Sequence, residues 1–297
     1  MPALLGLHHV TAFAREPREN IAYYTGTLGL RLVKRTVNFD DPGMYHLYYG
    51  DETGSPGTLL THFPHPQAAT RRPGVPDIDE AIVGIPTGSV EAWAAHLTAA
   101  GGAVERIKDR GRAALRTTDP HGMGLRLCED PAVTASDARP VRVEGVAITV
   151  ADPVPAASLL RELPGFEAED TDTGSWRIGA GTTPGRLEIR AAAGGAPPRP
   201  GAGTIHHVAW RIADEAALEA MAAHLASLSV PVSPVRDRQY FRSIYFRIPG
   251  GVIFEVATDG PGFEIDESRA DLGTHLRLPP QFESRRSDLE ATLPGLD

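Results

Sequence analysis

The chain has 297 residues, of which 41% are hydrophobic and 23% charged, and it carries a formal net charge of −9. This composition is ordinary for a globular protein with a sizeable core, and the acidic balance argues against a nucleic-acid partner, which normally requires a basic surface. The single cysteine, Cys128, excludes a disulfide framework, while the lack of a secretion signal and of an apolar run of ~20 residues predicts a cytoplasmic protein with no membrane partner.

The first module covers residues 1–66 and opens with an apolar strand that contains two adjacent histidines, Leu7-His8-His9-Val10-Thr11. A helical pattern follows over residues 21–28. Three runs rich in β-branched and aromatic residues come next and predict strands. The module therefore has the order strand, helix and three strands, and a proline-rich linker leads out of it.

The second and third modules, residues 78–131 and 141–192, repeat this order with helical patterns at 90–100 and 156–162. Neither module offers a histidine on its leading strand. In the third module the equivalent position is Gly145. We therefore expect both modules to be structural.

The fourth module, residues 203–259, opens with Ile205-His206-His207-Val208, which repeats the pattern of the first strand. A helix is predicted over residues 214–229, and the last two strands flank a Pro-Gly-Gly turn. The final strand carries Glu255, four residues after the second glycine of that turn. We expect the polar C-terminal tail, residues 260–297, to wrap the surface.

The repeated His-His-Val strands indicate an internal duplication that brings equivalent histidines together, and four modules of similar length would pair into two domains. Counting four residues from the turn glycine of the other modules places the equivalents of Glu255 at Thr61, Arg126 and Ile189. Glu188 is then one residue away from the position of a ligand.

Three side chains carry the predicted chemistry. His9 and His207 supply imidazoles and Glu255 supplies a carboxylate, which is the set that holds non-haem iron(II) on one face and leaves other coordination positions open. Open positions allow a phenolic oxygen and dioxygen to bind side by side. We predict an iron(II) centre, although Mn(II) and Zn(II) accept the same ligands.

The chain resembles the vicinal oxygen chelate superfamily, whose modules carry His-Val near the first strand and Glu near the last. More narrowly, it resembles the hydroquinone-type ring-cleaving dioxygenases through residues 7–11, 28–34 and 36–51. The resemblance implies an α+β fold of four βαβββ modules paired into two domains with cupped, barrel-like mixed sheets. It also implies an iron(II)-dependent enzyme of aromatic hydrocarbon catabolism that opens the ring of a hydroquinone or related dihydroxy-aromatic compound with dioxygen.

The distribution of the ligands narrows this resemblance. Catechol-cleaving relatives usually draw their first histidine from the third module, where this chain has Gly145. Glyoxalase-like isomerases use four ligands, and Thr61 stands where their second carboxylate is expected. A histidine from the first module with His207 and Glu255 from the fourth resembles the hydroquinone dioxygenases.

Five further residues match positions close to the metal-bound substrate in those dioxygenases: Tyr245, Arg238, His8, Thr11 and His206. The resemblance implies that Tyr245 hydrogen-bonds the substrate phenolate and that Arg238 stabilises negative charge. His206 is the best candidate for acid–base transfer. Because adjacent strand residues point to opposite faces, His8 and His206 should face away from the cup unless the strands bulge. The remaining histidines, His46 among them, are expected to be structural or solvated.

Two other classes of function stay open. A glyoxalase-type metal-dependent isomerase or lyase would turn over without consuming oxygen. A non-catalytic protein that binds an aromatic compound or an antibiotic would hold no redox-active metal. The sequence leaves the ring substituents of the substrate undetermined, and it is compatible with a homo-oligomer.

Overall fold

The computed structural model describes residues 1–133, 142–170, 174–179, 184–192 and 194–296. The predicted third module begins at residue 141 and also includes residues 171–173 and 180–183, all of which lie outside the described ranges, as does the last residue of the predicted tail, 297. No helix in the described part of the chain is both long and apolar enough to cross a bilayer.

Sixteen strands run through the described residues. In chain order they are β1 (Gly6–Ala14), β2 (Arg31–Val37), β3 (Tyr45–Gly50), β4 (Leu59–Pro64), β5 (Asp77–Ile85), β6 (Glu105–Asp109), β7 (Arg112–Thr118), β8 (Gly124–Glu129), β9 (Arg142–Val150), β10 (Phe166–Asp170), β11 (Ser175–Ile178), β12 (Gly185–Ala191), β13 (Ile205–Ile212), β14 (Arg236–Asp237), β15 (Phe241–Arg247) and β16 (Ile253–Pro261).

The helices are short. They are α1 (Pro17–Ile21), which continues as a π-helical segment (Ala22–Thr27), α2 (Val90–Ala99), α3 (Pro153–Glu162), α4 (Glu215–Ser227) and α5 (Arg286–Thr292), with 3-10 turns at Phe263–Ile265 and Pro280–Arg285. The first helix begins earlier than the pattern predicted because Pro17 takes the first helical position, where a missing N–H is not needed. Asp214 caps α4, since its side chain accepts a hydrogen bond from Ala217 N at 2.8 Å.

The strands form two sheets of eight. The first has the order β14-β15-β16-β13-β1-β4-β3-β2, and the second has the order β10-β11-β12-β9-β5-β8-β7-β6. In each sheet the two leading strands pair antiparallel at the centre, and each leading strand pairs parallel with the last strand of its own unit. The first sheet therefore joins the two ends of the chain. The predicted fold class, with mixed sheets built from βαβββ units, is confirmed.

Two large clusters of buried apolar side chains stabilise this architecture, and a small third one, of Ile82, Ala114 and Cys128, lies in the second sheet. The larger contains residues of both sheets and of the helices, including Tyr24, Trp93 and Trp210. The smaller lies on the concave face of the first sheet and contains Tyr48 and Phe241. The first sheet is curled into a half-barrel, and this smaller cluster fills its floor.

The C-terminal tail does not simply wrap the surface, as the sequence predicted. It buries Phe263 and four leucines, and Phe263 joins the cluster on the floor of the half-barrel. Lys34 of β2 is fully buried beneath it, with Nζ 2.5 Å from both Asp266 Oδ1 and Glu267 Oε2. One cation thus pairs with two carboxylates of the tail and fixes the tail to the sheet.

We predict that Lys34→Met lowers the free energy of unfolding by about 3–5 kcal/mol, because it leaves two carboxylates without their buried cation. The measurement is urea denaturation followed by circular dichroism. The chain's other lysine, Lys108, is exposed, so Lys108→Met should change the same quantity by less than about 0.5 kcal/mol. Equal effects of the two substitutions would contradict this account of the tail.

Candidate metal centre

The two histidine pairs lie on neighbouring strands at the centre of the first sheet. The register between β1 and β13 shifts by one residue at His8 and again at His206, so each strand carries an extra residue at the first histidine of its pair. Such a bulge interrupts the alternation of side chains. Regular alternation would turn His8 and His206 away from the cup. With the bulges, the ring of His8 lies against that of His9, and the ring of His206 against that of His207.

The second histidine of each pair meets Glu255 of β16. The Nε2 atoms of His9 and His207 are 3.3 Å apart, and Glu255 Oε2 lies 3.3 Å from His9 Nε2 and 2.9 Å from His207 Nε2. All three side chains are buried. Among the described residues they form the one group of three histidine, cysteine or acidic side chains whose ligand atoms could share an ion.

These distances fit a metal ion. Donors bound at ~2.1 Å to one ion lie roughly 3.0–3.4 Å from each other when they occupy one face of an octahedron or a tetrahedron. In the described part of the chain, Glu255 Oε2 is buried and has no hydrogen-bonding partner, a costly state for a carboxylate oxygen. A cation among the three donors would satisfy that oxygen. The donor set, two imidazoles and a carboxylate, suits iron(II), manganese(II) or zinc(II).

The hydrogen bonds of His8 fix which nitrogen of His9 is free. His8 Nε2 donates to the carbonyl oxygen of Thr258 at 3.1 Å, since a carbonyl only accepts. Burial, and then the neighbouring His9, lower the pKa of His8 to about 3, so its ring is neutral and its Nδ1 must accept. His9 Nδ1 lies 2.9 Å from that atom and donates to it. The lone pair of His9 Nε2 therefore points at the metal position.

The fourth-module pair repeats this contact. His206 Nδ1 lies 2.7 Å from His207 Nδ1. Burial, and then His207, lower the pKa of His206 to about 3, so this ring is also neutral. Unlike His8, His206 lines the cavity that contains the three metal-ligand candidates, with its ring against Phe13 and Phe63.

Two more of the predicted residues hold the other oxygen of Glu255. Tyr245 donates from its hydroxyl to Glu255 Oε1 at 2.9 Å, and Arg238 donates from Nε to the oxygen of Tyr245 at 3.1 Å. Burial, and then Glu255, raise the pKa of Tyr245 far above its usual range, so the hydroxyl keeps its proton. These two hydrogen bonds hold Oε1, so that Oε2 of Glu255 faces the two histidines.

The strand register tests the predicted equivalents of Glu255. Thr61 pairs with Thr11, two residues after His9, as Glu255 pairs with the residue two positions after His207. Thr61 therefore occupies the position of a second carboxylate, as predicted, and it bonds Thr11 Oγ1 at 2.8 Å instead. The short side chain leaves this side of the metal position without a fourth protein ligand from the described residues.

In the second sheet one predicted equivalent is wrong. Glu188, not Ile189, takes the position of Glu255, because Glu188 pairs with the residue two positions after Gly145. The count failed because that module's glycine is the first residue of β12 rather than a turn residue. A Cβ on Gly145 would lie 1.7 Å from the Arg186 carbonyl oxygen, so a histidine cannot replace it.

The second sheet fills the equivalent of the metal position with a guanidinium. Arg126 occupies the position of Thr61, as predicted, and donates to Glu80 Oε2 from Nε at 2.8 Å and from Nη2 at 2.6 Å. It also donates from Nη1 to Asp109 Oδ1 at 2.8 Å and to Glu188 Oε1 at 2.9 Å. The buried carboxylates here are paired with arginine.

The cavity over the first-sheet centre has a volume of about 230 Å³. Its described lining combines the three metal-ligand candidates with aromatic rings and polar groups, namely Phe13, Asn38, Phe39, Asp40, His46, Tyr48, Phe63, His206, Arg238, Phe241 and Tyr245. His8 and Thr11 do not belong to that lining. His8 lies behind His9, and Thr11 lies beside Thr61.

Sequence reasoning missed His46, which was expected to be structural. His46 Nε2 lies 2.9 Å from Thr61 Oγ1 and its Nδ1 lies 2.8 Å from the hydroxyl of Tyr48. Its ring packs on Phe63 with centroids 4.3 Å apart. The signal that could have found it is its position on β3, two residues before Tyr48, which pairs with Thr61 of β4.

Known proteins are similar to this chain over almost its whole length. The model of the Glyoxalase/Bleomycin resistance protein/Dioxygenase superfamily matches residues 6–130 and 142–256. A protein of Bacillus subtilis (strain 168), provisionally named ring-cleaving dioxygenase MhqE, is 37% identical over 309 residues, covering 98% of this chain and 99% of the relative. Chlorohydroquinone/hydroquinone 1,2-dioxygenase of Sphingobium indicum is 30% identical over 308 residues, covering 97% of this chain and 95% of the relative.

Solved structures agree with the sequence matches. The crystal structure of a provisionally named dioxygenase from Bacillus subtilis has a TM-score of 0.92 and 35% identity, covering 100% of this chain and 99% of that one. Glyoxalase I from Zea mays has a TM-score of 0.63 and 14% identity, covering 86% of this chain and 92% of that one. This second match reflects the fold alone.

We predict that each of the single substitutions His9→Ala, His207→Ala and Glu255→Ala abolishes metal binding, because the two remaining donors cannot hold a divalent ion against exchange with the buffer. Metal content after dialysis, measured by mass spectrometry, should fall from a stoichiometric ion to background. His275→Ala removes an exposed histidine of the tail and should leave the content unchanged. Full occupancy in any of the three variants would show that the ion binds elsewhere.

His8→Phe should weaken metal affinity by about 10- to 100-fold, because His9 Nδ1 then lacks the acceptor that orients its ring. Phenylalanine keeps the ring contact with Phe241, which now has centroids 4.9 Å apart. Competition with a chelator measures the change. His62 is a buried imidazole whose two ring nitrogens have no hydrogen-bonding partner within the described ranges, so His62→Phe is the matched control. Equal affinities of both variants would refute the role of His8.

Proposed function

The chain belongs to the glyoxalase/bleomycin resistance protein/dioxygenase superfamily, and from that premise we propose that it is an iron(II)-dependent dioxygenase that opens the ring of a hydroquinone or a related dihydroxy-aromatic compound. The observation that carries this proposal is the three-donor face of His9, His207 and Glu255, with Thr61 in place of a fourth ligand. Two-histidine, one-carboxylate faces with open positions are typical of non-haem iron oxygenases. The hydroquinone dioxygenase relative supports the choice of substrate.

Iron(II) held by this face would supply a Lewis acid for a phenolic oxygen and a redox centre through which electrons pass from the ring to dioxygen. The protein's part is to orient the substrate beside it. The aromatic side chains Phe13, Phe39 and Phe63 line the cavity and match the flat apolar surface of a benzene ring. A volume of about 230 Å³ suits a monocyclic substrate.

In the proposal, His206 exchanges the proton of the substrate hydroxyl. Four histidines line the cavity. His9 and His207 are metal-ligand candidates, and both ring nitrogens of His46 are hydrogen-bonded, so His206 is the imidazole left for this role. A metal-bound His207 would donate from its Nδ1 to His206 Nδ1, so the proton of the neutral His206 ring lies on Nε2, from which it can pass to a substrate oxygen. A positioned imidazole at such a site contributes typically 10²- to 10⁴-fold to the rate.

The other predicted site residues take positioning roles. Tyr245 and Arg238 hold Glu255 and both border the cavity. The guanidinium can stabilise negative charge on a bound phenolate, and the tyrosine hydroxyl can do so by turning its one proton from Glu255 to the phenolate oxygen. His8 orients His9, and Thr11 holds Thr61 away from the metal position. A cytoplasmic location, where the single buried cysteine stays reduced, is part of the same proposal.

The proposal predicts that iron(II)-loaded protein consumes one molecule of dioxygen for each hydroquinone opened. An oxygen electrode and the loss of the aromatic absorbance measure the two quantities together. Glu255→Ala loaded in the same way is the control and should show neither change.

The other classes of function give different results in that assay. Turnover of a thiol adduct of an α-ketoaldehyde without oxygen uptake would favour an isomerase. Binding of hydroquinone with no chemical change, in protein shown to hold iron(II), would favour a non-catalytic binding protein.

A further inference from the structure

The loop between β2 and β3 lies at the mouth of the metal cavity and carries an acidic residue, Asp40, that faces a basic one. Asp40 and Arg238 both line the cavity. They come from loops next to the two opposite edge strands of the first sheet, β2 and β14. The contact between them therefore closes the open side of the half-barrel.

Arg238 is held in a fixed position. Its Nη2 donates to Asp40 Oδ2 at 2.9 Å and its Nε donates to the hydroxyl of Tyr245 at 3.1 Å. The guanidinium also lies over the ring of Tyr245, 5.1 Å from the centroid. Only 17% of the Arg238 side chain is exposed, against 63% of Asp40, so the pair has a buried cationic end and a solvated anionic end.

Asp40 is placed by its own loop. Its backbone N–H donates to Asn38 Oδ1 at 3.0 Å, which tightens the turn before it. Phe39 packs against both large hydrophobic clusters and against Phe282 of the tail. The carboxylate is therefore carried by an anchored turn rather than by a free surface loop.

The charges around the cavity balance once the metal and a singly ionised substrate are counted. Arg238 is the one lysine or arginine in the described lining, and Asp40 pairs with it. The two positive charges of iron(II) would be offset by Glu255 and by the phenolate of the substrate. A ring that carries a carboxylate would therefore bring an anion into a partly buried space with no free cation, and transferring an unpaired charge from water is costly.

We propose that Asp40 is a specificity-determining residue: by pairing with Arg238, it limits the site to dihydroxybenzenes with uncharged substituents and excludes those that carry a carboxylate. The inference rests on the proposed function. It assigns to a solvent-exposed loop residue the selection of the substrate class. A merely structural role of the ion pair would affect charged and uncharged substrates alike.

The test compares two probes that differ in charge but hardly in shape, 2,5-dihydroxybenzoate and 2,5-dihydroxybenzamide. The quantity is the ratio of their kcat/KM values with iron(II)-loaded protein. Asp40→Ala should shift this ratio toward the benzoate by about 10- to 100-fold, the value of a charge-assisted hydrogen bond gained from the released Arg238. Asp40→Asn, which keeps an acceptor for Arg238, should shift it less.

Asp41→Ala is the matched control. It removes one negative charge from the same exposed loop without touching Arg238, so it should leave the ratio unchanged. An equal shift in the Asp40 and Asp41 variants would mean that only the long-range charge matters, and it would overturn the inference. So would an unchanged ratio in Asp40→Ala.

Anaerobic equilibrium binding of the same two probes separates this inference from the proposed function. If neither probe nor unsubstituted hydroquinone is oxidised, the proposed function fails, but the ratio of the two Kd values still reports on selection by charge. A shift of that ratio in Asp40→Ala but not in Asp41→Ala supports the inference. The same ratio in wild type and both variants overturns it.

Discussion

The antiparallel pairing of β1 with β13 is the interaction on which the site depends. It joins the beginning of the chain to a strand some two hundred residues later, and all the strands of the second sheet lie between them in the sequence. The strands lie ~4.8 Å apart in the direction of their hydrogen bonds, and the half-barrel curls their inner side chains together. The result is a separation of 3.3 Å between two imidazole nitrogens that are distant in sequence. Buried apolar side chains shared by both sheets stabilise this pairing.

The bulges belong to the fold rather than to the histidines. In the second sheet the register between β5 and β9 shifts at the two equivalent places, at Asp79 and at Glu144. The two sheets thus offer the same backbone geometry, and the side chains decide its use. In one sheet two imidazoles and a carboxylate converge and can hold a metal ion. In the other Gly145 leaves no room for a ligand, and Arg126 supplies the positive charge that buried carboxylates need.

The strand order and the three metal-ligand candidates could be predicted from the sequence, because the internal duplication is visible as repeated sequence patterns. The repeated His-His-Val strands indicated which residues would meet, and the turn glycines gave the positions of Thr61 and Arg126 correctly. The same count missed Glu188, since a glycine inside a strand has no sequence mark that separates it from one in a turn. The facing of His8 and His206 could not be derived either, because a bulge is set by the register of the partner strand. The place of His46 in the cavity lining depends on contacts between β3 and β4. The burial of the tail depends on its ion pairs with Lys34, which no local sequence pattern predicts.

The proposed site depends on one ion held by donors from the two ends of the chain. A crystal structure of the iron(II)-loaded protein, with anomalous data collected at the iron absorption edge, tests this most directly. We expect a single strong anomalous peak within bonding distance of His9 Nε2, His207 Nε2 and Glu255 Oε2, with no further protein donor. A peak elsewhere, or one closed by a fourth protein ligand, would contradict it.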